Sequence, residues 1–306
     1  MKLSVIICTH NPRENYLGRV MDALKAQTLP KEQWELLLLD NGSKTTLAKT
    51  WDLFWHPHAR HIREDELGLT PARLRGIRES AGELLVFVDD DNVLAVDYLS
   101  LVVALAQQWP MLGAWAGESL PEFETAPLAA IAPYLTMLAS IPSDGRFGRD
   151  CWSNLRDSEA TPSGSGMCVR RLVAEAYFKL ATTDERRRNL DRCGQSLASG
   201  GDTDMAFIAC DLGLGTGYFH KLKLTHLIPS HRVTLSYLLQ LREAMSFSEI
   251  IVDSFRNPDA ARVSQGRRLV NYLRAWMSAG IQRNFNLAVL RGQDAARRML
   301  KRQAVH

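Results

Sequence analysis

The chain has 306 residues, 46% apolar and 23% charged, a globular balance that excludes global disorder, a collagen-like repeat and a disulfide miniprotein. Net charge is +3, too small by itself to mark a nucleic-acid binder. Its distribution is uneven: Arg256 to His306 holds eleven Lys and Arg against two Asp, an excess of +9, so the preceding body carries −6.

Leu3 to Cys8 reads as a buried strand, and Asn15 to Gln27 as a helix with Leu17, Val20, Met21 and Leu24 on one face. Trp34 to Leu39 is a second strand, ending in the turn signal Asp40-Asn41-Gly42-Ser43. Thr45 to Phe54 reads as helix and His61 to Arg63 as a short strand. A helix from Thr70 to about Ser80 carries Pro71 in its first turn, where proline is tolerated. Leu84 to Val88 is another buried strand and ends in Asp89-Asp90-Asp91-Asn92. Further on come a helix from Ala95 to Gln108, a strand at Gly113–Ala116 and a long loop from Pro142 to Ser165. A strand at Met167–Val169, a helix from Leu172 and a helix beginning at Asp202 follow. From Thr234 the pattern is almost wholly helical.

Unalternating apolar strands separated by helices imply a mainly parallel sheet covered on both faces. Ligands bind such sheets beyond the carboxyl ends of the strands. Thr9-His10-Asn11, Asp40-Asn41-Gly42 and Asp89-Asp90-Asp91 all lie at such ends, so three polar clusters on one rim define a site. Three adjacent carboxylates repel one another, and Mg²⁺ or Mn²⁺ held by one or two of them with substrate phosphates would offset that repulsion. An acidic turn before the next helix is the plainer alternative.

Five cysteines, Cys8, Cys151, Cys168, Cys193 and Cys210, lie far apart and form no C-x-x-C, which fits a reducing, cytoplasmic compartment. The first apolar run is too short for a secretory signal. Thr125 to Ser143 is uncharged but contains Pro127, Pro133 and Pro142, which disfavours a membrane span. His56, His58 and His61 surround Pro57 without the spacing that would converge them on a metal. No G-x-G-x-x-G, P-loop or H-E-x-x-H occurs, which argues against a dinucleotide enzyme, a P-loop nucleotidase and a zinc protease.

Phe87-Val88-Asp89-Asp90-Asp91 resembles the D-x-D motif of family-two glycosyltransferases with the GT-A fold. Ser4 to Asn11 resembles their opening strand and nucleotide loop, and Leu38 to Ser43 their D-[ND]-x-S segment. Gly68 to Arg73 is similar to the stretch ending in A-R-N, and Gly200-Gly201-Asp202-Thr203-Asp204 to the G-E-D-x-D segment. The five pieces fall in order over residues 1 to about 235. Two positions depart from the pattern: Leu74 stands for the usual Asn, and Gly201 for the usual Glu.

The resemblance implies an α/β fold, a GT-A-like Rossmann-type mixed sheet with helices on both faces over 1–233; the residue pattern beyond it reads as a basic amphipathic helical extension over 234–306. It implies an inverting, metal-assisted glycosyltransferase. Such an enzyme moves a sugar from a nucleotide-diphosphate donor, UDP-type first, to a hydroxyl of a glycan or lipid-linked acceptor. Thr9, Asn11 and Asp40 would contact the nucleotide, Arg73 the diphosphate or base, and Asp89 and Asp90 the ribose or sugar. Asp91 and His226 would hold Mg²⁺ or Mn²⁺, and Arg232 would touch the diphosphate. Asp202 would deprotonate the acceptor, with Asp204 next in line. Read without the family, Asp40 is a turn residue, Arg73 a helix charge and Asp202 a helix cap. Gly164-Ser165-Gly166-Met167 lets a ligand approach the backbone and reads as the acceptor-side floor or a plain turn, and Trp152 as a residue that stacks on a sugar or a partly buried loop aromatic.

Gln265 to Arg302 reads as two helices broken near Gly280 or Gly292. Leu269, Val270, Leu273, Trp276, Met277 and Ile281 recur at helical spacing among nine Arg and Lys residues. That stripe fits packing on the catalytic domain or a second subunit, or contact with the inner face of the cell membrane, rather than nucleic acid.

Overall fold

The computed structural model describes residues 2–139, 145–156 and 158–303. In chain order the strands are β1 (Leu3–Thr9), β2 (Trp34–Asn41), β3 (Ala59–Glu64), β4 (Leu84–Val88), β5 (Asn92–Leu94), β6 (Leu112–Phe123), β7 (Cys151–Ser153), β8 (Cys168–Arg170) and β9 (Gly215–Ile228). The helices are α1 (Glu14–Lys25), α2 (Leu69–Glu79), α3 (Tyr98–Gln108), α4 (Arg171–Thr183), the short α5 (Glu185–Arg188), α6 (Gly201–Asp211), α7 (Leu235–Ser254), α8 (Gln265–Met277) and α9 (Gly280–Gln303).

One mixed sheet runs β3-β2-β1-β4-β8-β6-β9-β5, with β7 also on β9. Its first four strands are parallel, as their unbroken apolar sequences imply, and β8 then enters antiparallel to both β4 and β6. Both faces are covered. Leu3, Val5 and Ile7 of β1 pack with Leu17, Val20 and Leu24 of α1 and with Leu99 and Val102 of α3. Ile6 packs on the opposite face with Ile77 of α2, Val173 and Tyr177 of α4 and Met205 and Ile208 of α6. Alternate side chains of one strand thus serve two cores.

Strand register brings the rim together. Thr9 pairs with Asp40 and Ile7 with Val88, so the ends of β1, β2 and β4 lie level and Asp89 to Asp91 leave the sheet beside Thr9. On the other side His226 of β9 pairs with Asn92 of β5, which brings a histidine 135 residues downstream to the acidic turn.

Some elements differ from expectation. Thr45–Phe54 forms only a 3₁₀ turn at Leu47–Lys49. The Asp40 carboxylate of β2 takes the N–H groups of Ser43 and Leu47, and His61 Nε2 of β3 bonds the Trp51 carbonyl, so the segment is tied to the two strands it connects. The strand expected at Gly113–Ala116 extends to Phe123, because β9 offers a long parallel partner. The loop from Pro142 contains β7, and residues 140–144 lie outside the described ones. The uncharged run from Thr125 holds a 3₁₀ segment at Ala129–Met137, and no helix among the described residues is long and apolar enough to cross a membrane.

The helical extension packs against the sheet body. Phe285 of α9 stacks on Tyr134 with ring centroids 3.6 Å apart, and Ile251 and Val252 of α7 pack with Leu190, Phe207 and Ala296. The tail breaks at Ser278–Ala279, before Gly280. Gly292 continues α9 without a break, because it lies against the backbone of Glu243 and Phe247 on α7, where a Cβ would collide. The small residue sets the approach of the two helices rather than an end.

Candidate active site

A cleft of about 590 Å³ opens where these strands end, within the range of small-ligand sites. Thr9, Arg73, Asp89, Asp90, Asp91, Asp202, His226 and Arg232 all line it. Residues from the ends of β1, β4 and β9, from α2 and α6 and from the turn after β9 therefore converge on one cavity. Asn11 and Asp40 stand outside its lining. Asn11, at φ +48°, gives its N–H to Ser43 Oγ (2.9 Å) and accepts from Lys44 N–H (2.9 Å), tying the first two loops together. Asp40 accepts from Ser43 N–H (2.8 Å), Leu47 N–H (3.1 Å) and Arg63 Nη1 (2.8 Å). Burial raises its pKa, but these donors more than offset that and hold the carboxyl below its usual value.

The three acidic residues are not equivalent. Burial, then the neighbouring charge of Asp91, pushes Asp90 up to about 7 despite the hydrogen bond from Thr9. Asp89 is likewise raised by burial and Asp91, with Arg73 and Arg192 opposing. Asp91 goes the other way: His226 and Arg232 outweigh its burial and hold it below the ordinary value. The triplet thus keeps its firm negative charge at Asp91, where Asn92 Nδ2 donates at 2.9 Å and Arg232 Nη1 at 3.0 Å.

His226 gives its Nδ1–H to the Leu138 carbonyl (2.8 Å), which turns its Nε2 inward, 3.5 Å from Asp91 Oδ2. A carboxylate facing an imidazole nitrogen suits a divalent cation. Among the described residues no three His, Cys, Asp or Glu side chains form a ready metal cage. Mg²⁺ or Mn²⁺ would therefore fit here on Asp91 and His226 with donor phosphate oxygens completing the shell, the arrangement these ions favour.

Asp202 stands in the first turn of α6, its Oδ1 accepting Thr203 N–H (2.9 Å). Gly164 and Ser165 line the cleft beside it, and a Cβ on Gly164 would lie 2.5 Å from Asp202 Oδ2. The small residue keeps that carboxylate accessible. Asp204, the other acid of the segment, is fully buried between Arg187 (2.8 Å) and Arg256 (2.7 Å) and stands outside the lining. Trp152 is half exposed against Trp109 and also outside the cleft. Sequence reasoning missed Asp191, Arg192 and Cys193, which line the cleft from the segment between α5 and α6. Only the polarity of Asp184 to Ser199 pointed that way.

Arg73 lies at the centre, buried over the Phe87 ring at 5.9 Å and paired with Asp191 Oδ2 at 3.0 Å. Burial disfavours its charge, but Asp191, Asp202 and Asp89 outweigh burial and keep it cationic.

A mixed sheet with a polar, acid-lined cleft beyond its strand ends is where an α/β protein of this kind binds its ligand. The sequence profile of glycosyl transferase family 2 matches residues 4–176, more than half of the chain, and the chain belongs to that family. Glycosyltransferase AglE of Haloferax volcanii is 34% identical over 92 residues, covering 29% of this chain and 30% of that protein. Glycosyltransferase GlyA of Streptococcus pneumoniae serotype 4 is 29% identical over 100 residues, covering 32% of this chain and 14% of that protein. The chain thus matches under a third of either curated relative's length. Among solved structures, S. aureus TarS 1-349 superposes with a TM-score of 0.55 at 13% identity, over 99% of this chain and 92% of that one. TarS 1-349 in complex with UDP-GlcNAc superposes with a TM-score of 0.54 at 12% identity, again over 99% and 92%. The shared fold is the GT-A-like one, a mixed sheet with helices on both sides and a helical C-terminal region.

Proposed function

We propose that the protein transfers a sugar from a nucleoside diphosphate donor, UDP-type, to a hydroxyl of a glycan or lipid-linked acceptor, with inversion. The observation that carries this is the placement of Asp202 and the Asp91–His226 pair on one cleft, beside buried Arg73. Arg232 supplies positive charge for the diphosphate. A bound Mg²⁺ or Mn²⁺ would stabilise charge developing on the leaving diphosphate. Asp202 takes the acceptor hydroxyl proton as the oxygen attacks the anomeric carbon, and the bond to the diphosphate breaks on the opposite face. Sugar passes to the acceptor, and the nucleoside diphosphate leaves with the bonding electron pair. One base and one displacement give inversion.

The test is nucleotide release from UDP-sugars with Mn²⁺, with and without glycan acceptors. Asp202→Asn should keep UDP affinity and lower turnover by roughly 10²–10⁴-fold. Near-normal turnover would remove Asp202 from the role of base.

A specific surface supports a membrane contact as part of this function. Leu269, Leu273, Trp276 and Met277 of α8 are 55–85% exposed. The exposed Arg267 and Arg274 flank them, and α8 contains no acidic residue. Apolar side chains bordered by cations suit an anionic lipid surface.

A further inference from the structure

Asp191 lies between α5 and α6, outside every motif that pointed to the site. It is 5% exposed. Its Oδ1 accepts the N–H of Gly201 at 3.0 Å. Its Oδ2 accepts from Thr70 Oγ1 at 2.9 Å and Arg73 Nη1 at 3.0 Å. The donors come from the N-terminal halves of α2 and α6, so one carboxylate ties the two helices together. The residue before α6, Gly200, has no side chain to cap the helix. Asp191 supplies that acceptor from a distance and places negative charge at the helix N-terminus, where it is favoured.

The same carboxylate explains Gly201. A Cβ at 201 would lie 2.7 Å from Asp191 Cγ and 2.9 Å from its Oδ1. Position 201 is absent from the positive-φ residues, so space and not backbone conformation demands glycine there. Asp191 fills the volume in which a side chain at 201 would begin.

We infer that Asp191 is a positioning residue of the site, a loop-borne carboxylate standing in for a side chain at position 201 and fixing Arg73 against the helix that carries Asp202. Asp202 immediately follows Gly201, so the bond to Gly201 N–H sets where that acid points. Arg73 is held by the other oxygen. The relative placement of the cleft's central cation and its candidate base therefore depends on one side chain.

The inference rests on the glycosyl-transfer reading only for its activity readout. Four proteins test it: wild type, Asp191→Ala, Gly201→Asp and the double variant. Gly201→Asp should lower the thermal midpoint in the wild-type background, where two carboxylates compete for one volume. It should raise the midpoint in the Asp191→Ala background, where the new carboxylate enters vacated space. Turnover per folded molecule should fall roughly tenfold or more in Asp191→Ala and recover in the double variant, as expected for residues in direct contact. The same sign of midpoint change in both backgrounds would overturn the shared volume. Unchanged turnover in Asp191→Ala would overturn the positioning role. Should Asp191→Ala fail to fold, folded protein from the double variant is the supporting result and its absence the overturning one. A wild type without turnover would sink the glycosyl-transfer reading and leave the sign inversion to decide this one.

Discussion

Arg232 Nη1 stands 3.0 Å from Asp91 Oδ2 and 3.5 Å from His226 Nε2. The histidine spends its Nδ1–H on the Leu138 carbonyl, so the guanidinium faces its Nε2 on one side and a carboxylate on the other. The imidazole nitrogen and the carboxylate lie 3.5 Å apart, and Arg232 stands beside both. A divalent ion on the same two ligands would compete with Arg232. The phosphate that such an ion brings would in turn offer the guanidinium a new bidentate partner.

Removing that competitor should therefore split metal and nucleotide affinity. Arg232→Gln is expected to bind Mn²⁺ alone more tightly, roughly tenfold on the loss of one nearby positive charge. It should bind UDP more weakly in the presence of Mn²⁺. Titration calorimetry measures both. Mn²⁺ affinity that is equal or weaker in the variant would show that Arg232 does not occupy the metal's place.

The counterpart concerns the carboxylate itself. Asp91→Asn keeps the shape of the turn and removes the firm negative charge of the triplet. UDP should still bind the variant, through Arg73 and Arg232, but titrations with and without Mn²⁺ should give the same affinity. Retained metal dependence would move the metal to Asp89 or Asp90.

His56 sets a pH dependence of stability away from the cleft. It is buried edge-on against Trp34, ring centroids 4.1 Å apart, and near Trp55 at 5.4 Å. Its Nδ1 accepts His58 N–H, while its Nε2 has no partner among the described residues. Burial, with His58 and Lys31 adding to it, pushes its pKa down to about 4. An unfolded histidine titrates near 6.5. The stabilising contribution is thus full above about pH 6.5, where both states are neutral. It is lost as pH falls toward 4, because only the unfolded chain takes up the proton. The span corresponds to about 3 kcal/mol. Urea unfolding at pH 7 and pH 4.5 should show a larger loss for wild type than for His56→Gln, and equal losses would place the acid sensitivity elsewhere.

How much of this was legible in the sequence follows from the distance over which each feature is decided. Leu3 to Thr9, Trp34 to Asn41 and Leu84 to Val88 announce themselves because strands buried on both faces need unbroken apolar runs. Their carboxyl ends then deliver Thr9 and Asp89 to Asp91 to the rim by register alone. His226 and Arg232 are reached only through the family resemblance, and they lie within β9 and just beyond it. Asp191 was not legible, because its partner Thr70 is 121 residues away and nothing local marks the meeting. Thr45 to Phe54 reads as helical, but its Leu47 N–H goes to Asp40 and its Trp51 carbonyl to His61, contacts that local pattern does not record. Asp204 repeats the lesson inside one motif: two residues beyond Asp202, it turns inward to Arg187 and Arg256 instead of into the cleft.

The tail gives the last prediction. Its sequence fits packing on the protein or lying on a membrane, and the two helices divide those options between them. Phe285, Ala288 and Ala296 of α9 are buried against the body. On α8 only Ala275 is buried, and that helix is tied to α9 through Arg268 and Tyr272, both bonded to Asp294 Oδ2. Its opposite face leaves Trp276 64% and Met277 85% exposed. A symmetric contact between two copies would bring this arginine-rich helix against itself, whereas anionic lipid complements it. Each basic residue near such a surface contributes about 1 kcal/mol, and inserted apolar side chains add to that without a membrane span. The full chain should therefore co-sediment with phosphatidylglycerol-containing vesicles and much less with phosphatidylcholine alone, and should be released by salt. Leu273→Asp with Trp276→Asp should abolish sedimentation while leaving the thermal midpoint within a degree or two, since both side chains are exposed. Protein that stays in the supernatant with both vesicle types, or a double variant that changes oligomeric state rather than vesicle binding, would assign the face to another protein surface.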